Sequence, residues 1–151
     1  MSKELKSVLK DACMDFVDAR IARFNATMHE LEEALKPESR SCMGDKYETS
    51  RAMLHLEFEK LSGQVEQFNA LRRTVSLIDP GSETDVIGFG SVVRTNLANY
   101  FISIPAGEIT ANNNKFYAVG INSPVAIALL GKKSGEEFVV NGKKGIIVSV
   151  E

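Results

Sequence analysis

Apolar residues in the first half of the chain recur at alternating steps of four and three, and this pattern constrains the fold more than any other feature. Leu5, Leu9, Ala12 and Phe16 form one run. Val17, Ile21, Phe24, Met28, Leu31 and Leu35 continue it after a one-residue offset, the drift that a straight helix accumulates. Past a break, Leu54, Phe58, Leu61, Val65 and Phe68 repeat the alternation, and Leu71, Val75 and Ile78 resume it after a second step of three, with charged residues between them. This is the seam of a coiled coil. The break, from Lys36 to Asp45, contains Pro37, which stops the first helix, and Gly44, which lets the chain reverse. Two helices of about 30 residues joined this way are expected to pack antiparallel. Each would be on the order of 45 Å long. Such a hairpin buries one narrow stripe and is expected to serve as a probe. Periodicity alone also admits, and more often accompanies, an oligomerising coiled coil or a helical bundle.

Composition changes near Asp79-Pro80-Gly81-Ser82, a turn-type sequence. Residues 3–78 contain one of the four prolines and two of the eleven glycines, and the remainder holds the rest. The expected division is therefore a coiled-coil finger over 1–78 and a second domain over 79–151. In that second half, Val86 to Thr95, Tyr100 to Ile104 and Phe116 to Ile121 have the β-branched and aromatic content of strands. Phe138 to Val140 and Ile146 to Val150 flank Asn141-Gly142, a hairpin signal. Ser123-Pro-Val-Ala-Ile-Ala-Leu-Leu-Gly131 reads as a short helix. Ser123 caps it, Pro124 takes the first helical position and Gly131 supplies the stop. The fold class is α+β: a long hairpin, then a small sheet with one short helix.

Charge excludes one class of function. With 18 basic and 20 acidic residues the formal net charge is −2, unlike the strongly basic face of a dedicated nucleic-acid binder. A protein partner that itself holds nucleic acid stays open. Cys13 and Cys42 are too few for a disulfide framework or a zinc site, and a reducing compartment is expected. No apolar run is long enough to span a bilayer, and Met-Ser-Lys-Glu-Leu-Lys lacks a signal-peptide core, so a cytoplasmic protein without membrane attachment is expected. His29 and His55 lack Cys or His neighbours at ligand spacing, and surface or seam-edge positions are expected for both. Lys132-Lys133 and Lys143-Lys144 are expected to be solvated.

Gly44-Asp-Lys-Tyr-Glu48 opens the second helix of the hairpin, and the second half contains Ile87-Gly-Phe-Gly-Ser-Val-Val93, Asn122-Ser-Pro-Val-Ala-Ile-Ala-Leu-Leu-Gly-Lys132 and Gly135-Glu-Glu-Phe-Val-Val140. In these segments the chain resembles the GreA/GreB transcription factors: the first is similar to the Gly-Asp-x-x-Glu of their fingertip, and the others to segments of their FKBP-like antiparallel sheet domain. The match runs through nearly the whole chain in order.

The resemblance implies an accessory factor, not itself an enzyme, that docks on RNA polymerase and sends its hairpin down the secondary channel. There, tip acids help hold a second Mg2+ jointly with the polymerase, and the polymerase cuts its own backtracked RNA. Carried onto this sequence, Asp45 and Glu48 are the acids, and Asn122, Ser123 and Pro124 head the docking segment. The chain would act as a monomer and meet the nascent RNA 3′ end only indirectly. Phosphodiester cleavage gains from two metals, and Mg2+ often takes only one or two carboxylates. Asp45 and Glu48 are three apart, so at a helix start both can project to one side. The same pair also matches a capping box, in which Asp45 caps and Glu48 reaches back. The family usually follows its second acid with Asn, an acid and an aromatic, whereas this chain has Thr49-Ser-Arg-Ala52. Arg51 thus sits one turn beyond Glu48, placed to pair with it or to contact nucleic acid. The alternative function is a channel regulator that enters the same route and modulates or blocks synthesis without cleavage.

Overall fold

The computed structural model describes residues 2–35 and 45–151, and the side chains of residues 3–35 and 48–151. Two long helices come first, α1 (Ser2–Leu35) and α2 (Asp45–Ser76), as the apolar spacing requires. The strands β1 (Val92–Thr95), β2 (Asn99–Ser103), β3 (Gly107–Ala111) and β4 (Asn114–Gly120) follow. The short helix α3 (Pro124–Leu129) and the strands β5 (Glu137–Val140) and β6 (Lys143–Val150) complete the α+β arrangement that the sequence leads one to expect. Among the described residues no helix is long and apolar enough to cross a membrane.

The chain divides into two compact units, Val17–Arg72 and Met1–Phe16 with Arg73–Glu151. In the first, the helices run antiparallel. Arg72 Nε donates to Asp18 Oδ1 at 2.8 Å, the Phe24 and Phe68 rings lie 5.5 Å apart, and Arg51 Nη1 donates to the Leu35 carbonyl at 2.7 Å. Partners descend one helix as they climb the other. Leu61 is buried at the seam, while Ile21, Phe24, Met28, Leu31, Leu54, Phe58, Val65 and Phe68 are half-buried. Two helices alone cover only one stripe, so each seam residue gains part of the roughly 1.5–3 kcal/mol that full burial gives.

The second unit is built on a six-stranded sheet in the order β3-β4-β2-β1-β6-β5. One face packs Val93, Ile102, Phe138 and Ile147 against Ala126 and Leu129 of α3 and against Ile87. By alternation the other face carries Val92, Phe101, Ser103, Phe116 and Ala118, all buried. The first turns of α1 meet that face: Cys13 Sγ lies 3.6 Å from Ser103 Oγ, and Leu5 and Leu9 are buried.

The sheet is mixed, where antiparallel pairing throughout was expected. β4 slots between β2 and β3, pairing in parallel with β2 and antiparallel with β3. The run expected as a strand from Val86 becomes one only at Val92. Val86 makes a lone bridge to Lys133, and Gly90, at φ +87°, turns the chain between them. The β3 strand was not anticipated, because as an edge strand it carries the exposed Gly107, Glu108 and Thr110 in place of an apolar run. The β5–β6 hairpin forms at Asn141-Gly142 as expected. Both residues have positive φ (53° and 77°), the conformation whose twist matches the flanking strands.

Candidate functional site at the opening of α2 and the cap of α3

Asp45 opens α2, and its side chain lies outside the described residues, as do Pro37, Cys42 and Gly44. Glu48 is exposed in the first turn, where the positive end of the helix dipole favours a carboxylate. Among the described residues no hydrogen bond or ion pair engages that carboxylate. The other half of the expected capping box, the Asp45 cap, falls outside the described side chains.

One turn on, Arg51 is half-buried, and its guanidinium donates to the Leu35 carbonyl at 2.7 Å. The last carbonyls of a helix have no partners within it. The last turn of α1 contains no basic residue, so Arg51 brings a cation from the neighbouring helix to that negative end. Sequence reasoning placed Arg51 near Glu48 or nucleic acid and missed the carbonyl, since a helix terminus carries no side-chain signal of its own.

At α3 the expected capping is present. Ser123 has extended backbone (φ −70°, ψ 153°), and its Oγ accepts from the Ala126 amide at 3.2 Å. The same hydroxyl donates to the Gly120 carbonyl at 2.7 Å, tying the cap to the end of β4. Pro124 follows at the first helical position, where a missing amide costs nothing. Asn122 and Pro124 are exposed beside this cap. Two further residues extend the surface: Ile121 is 41% exposed and Ile127 is 64% exposed, one turn beyond Pro124. Ala126 and Leu129 fill the inner face of α3 and leave Ile127 outside.

The histidines are exposed as expected, with His29 Nε2 3.8 Å from Glu33 Oε1. Among the described residues no group of three or more His, Cys, Asp or Glu is arranged to hold a metal ion. Lys144 pairs with Glu137 at 2.9 Å on the surface, the solvated role expected of that basic pair. Burial pushes the Cys13 thiol above its ordinary 9.0, with the Ser103 contact opposing, and burial likewise raises Tyr100 above 10.0. Burial lowers the Lys6 ammonium below 10.5 against the pull of Glu151, Glu83 and Asp79.

No protein-family model matches the chain. Similar solved structures include one described as the transcription factor Gfh1, at 17% identity and TM-score 0.38, covering 92% of this chain and 93% of that one. Another is the GreA factor homolog 1 (Gfh1) protein of Thermus thermophilus, at 17% identity and TM-score 0.35, over 93% and 95% of the two chains. A third is Thermus aquaticus Gfh1, at 17% identity and TM-score 0.34, over 93% and 94%.

Proposed function

We propose that this chain is a transcription elongation factor of the GreA/GreB type, working as a cytoplasmic monomer. It enters the secondary channel of RNA polymerase and stimulates the polymerase's own cleavage of backtracked RNA. The observation that carries this reading is the exposed Glu48 carboxylate in the first turn of α2, at the end of a two-helix stem with a narrow seam. The stem (17–72) is the finger, and the sheet unit docks through Asn122, Ser123 and Pro124.

An exposed carboxylate is the oxygen donor that Mg2+ accepts, and Mg2+ commonly takes only one or two from a single protein. Asp45 and Glu48 would supply that partial set, with polymerase groups completing it. The ion, when held, stabilises the charge on the phosphodiester oxygens. The chain's own part is to deliver two carboxylates on a stem, so that the second metal site exists only while the factor is bound. Ser123 holds the backbone at the head of α3, which fixes how Asn122 and Pro124 face the partner.

The test is RNA shortening on a stalled, backtracked elongation complex with Mg2+, comparing wild type with Asp45→Asn and Glu48→Gln. Shortening by wild type, lost in both variants while each still binds, supports the reading. Binding that slows synthesis without cutting makes the chain a channel regulator. No binding at all defeats both.

A further inference from the structure

We propose that Arg51 is a positioning residue for Glu48: by bonding the end of α1 it fixes the direction in which α2 presents that carboxylate. The inference rests on the cleavage-factor reading for its consequence, and on the geometry of the stem for its cause. The Arg51 Nη1 bond to the Leu35 carbonyl is 2.7 Å long and half-buried. It joins a charged donor to a carbonyl at the negative end of a helix, which makes it stronger than an ordinary side-chain bond.

Glu48 and Arg51 are three residues apart on α2 and so share a side. Each residue of helix turns the chain by about 100°, so a directional bond at Arg51 sets the azimuth of Glu48 relative to α1. Two other specific links between the helices, Phe24 with Phe68 and Asp18 with Arg72, lie toward the opposite end of the stem. Phe68 is twenty residues from Glu48, on the order of 30 Å along the axis. Half-buried apolar contacts between them favour association but fix rotation poorly, because apolar attraction has no direction. Arg51 supplies a directional contact between the two helices one turn from Glu48.

Two measurements separate this inference from the reading it deepens. The first uses the free protein in a Cys42→Ser background, with a nitroxide at Glu48→Cys and a control label at Glu59→Cys. Arg51→Met is expected to raise the mobility of the first label and leave the second unchanged. Arg51→Lys, which keeps a charged donor, is expected to restore most of the order. Equal mobility of the Glu48 label with Arg or Met at position 51 overturns the inference.

The second measurement is RNA cleavage at saturating factor, with the native Glu48. Small misplacement of a reacting group is costly, and Arg51→Met is expected to lower the maximal rate about tenfold. The factor concentration for half-maximal effect should stay within about twofold, because docking is untouched, and Arg51→Lys should recover most of the rate. An unchanged maximal rate in Arg51→Met overturns the inference. A wild type that binds and does not cut sinks the cleavage reading, and the label mobility then decides the orientation claim alone.

Discussion

Lys6, a residue only 3% exposed, donates through its ammonium to the carbonyl of Ser82 at 2.6 Å, joining the second turn of α1 to the segment that leads from α2 into the sheet. Lys10 does the same one turn on, reaching the Ile78 carbonyl at 2.7 Å. The connector would otherwise leave those carbonyls to water. A buried cation is tolerated here because Glu151, Glu83 and Asp79 lend it negative potential.

Removing the charge should therefore loosen the connector. Lys6→Met is expected to cost about 1–3 kcal/mol, the range for a charged hydrogen bond whose partner is left behind. Lys10→Met should cost less, being more exposed. Urea midpoints with unchanged slope would report the loss, and amide exchange at residues 78–82 should speed up in step. A Lys6→Met protein as stable as wild type would mean that the bond contributes nothing net.

Alkaline stability carries the mark of Cys13. Its folded thiol titrates above 9.0, so past that pH the unfolded chain releases its proton and the folded one retains it. The unfolded state then binds fewer protons, and stability falls as pH rises. Tyr100 acts with the same sign above 10.0, while Lys6, lowered below 10.5, acts with the opposite sign. A Cys13→Ala variant should lose stability overall, and its stability should decline less steeply as pH rises above about 8.5, where the unfolded thiol ionises. Parallel curves for the two proteins would remove Cys13 from the account.

At three places a local rule decides the outcome, and there sequence and structure agree. The three–four spacing placed both helices, Ser123-Pro124 placed the start of α3, and Asn141-Gly142 placed a hairpin. What sequence did not show depends on distant partners. β3 has no apolar run, because a strand at the edge of the sheet is held by β4 on one side only. Its Asn112-Asn113 turn, at φ 52° and 64°, uses the same conformation as Asn141-Gly142 but was not flagged as a hairpin. The parallel pairing of β2 with β4 follows from where that hairpin inserts, which no single segment records. At the stem, Glu48 was legible as an acid opening a helix, whereas the Arg51 bond to Leu35 needs both helices in place.

Gly145 tests the packing of the β5–β6 hairpin. A Cβ built there would lie 2.6 Å from the Cε1 and Cζ atoms of Phe138 and 2.9 Å from Leu97 Cδ1. Phe138 is 2% exposed and belongs to the core with Ile147 and Leu129, so its ring has little room to yield. Gly145→Ala is expected to destabilise by about 1–3 kcal/mol, the usual cost of overpacking. Pairing it with Phe138→Leu should recover part of the loss, since the smaller side chain frees the space. A stable Gly145→Ala protein with unchanged near-UV signal would show that the ring moves at no cost.

At α3 the cap and the exposed surface can be separated by substitution. Ser123→Ala removes the acceptor for the Ala126 amide and the donor to Gly120, and is expected to cost about 1 kcal/mol of stability. Ile127 contributes little to the core at 64% exposure, so Ile127→Glu should leave the unfolding midpoint within about 0.5 kcal/mol of wild type. If the surface formed by Ile121, Pro124 and Ile127 docks on polymerase, the same Ile127→Glu change buries a charge in the interface and should weaken binding at least tenfold. Fluorescence titration of labelled protein with polymerase core enzyme reads that difference directly. Weakened binding with native stability would assign the surface to docking. Unchanged binding would remove Ile127 from the interface and leave the Ser123 cap with a purely structural role.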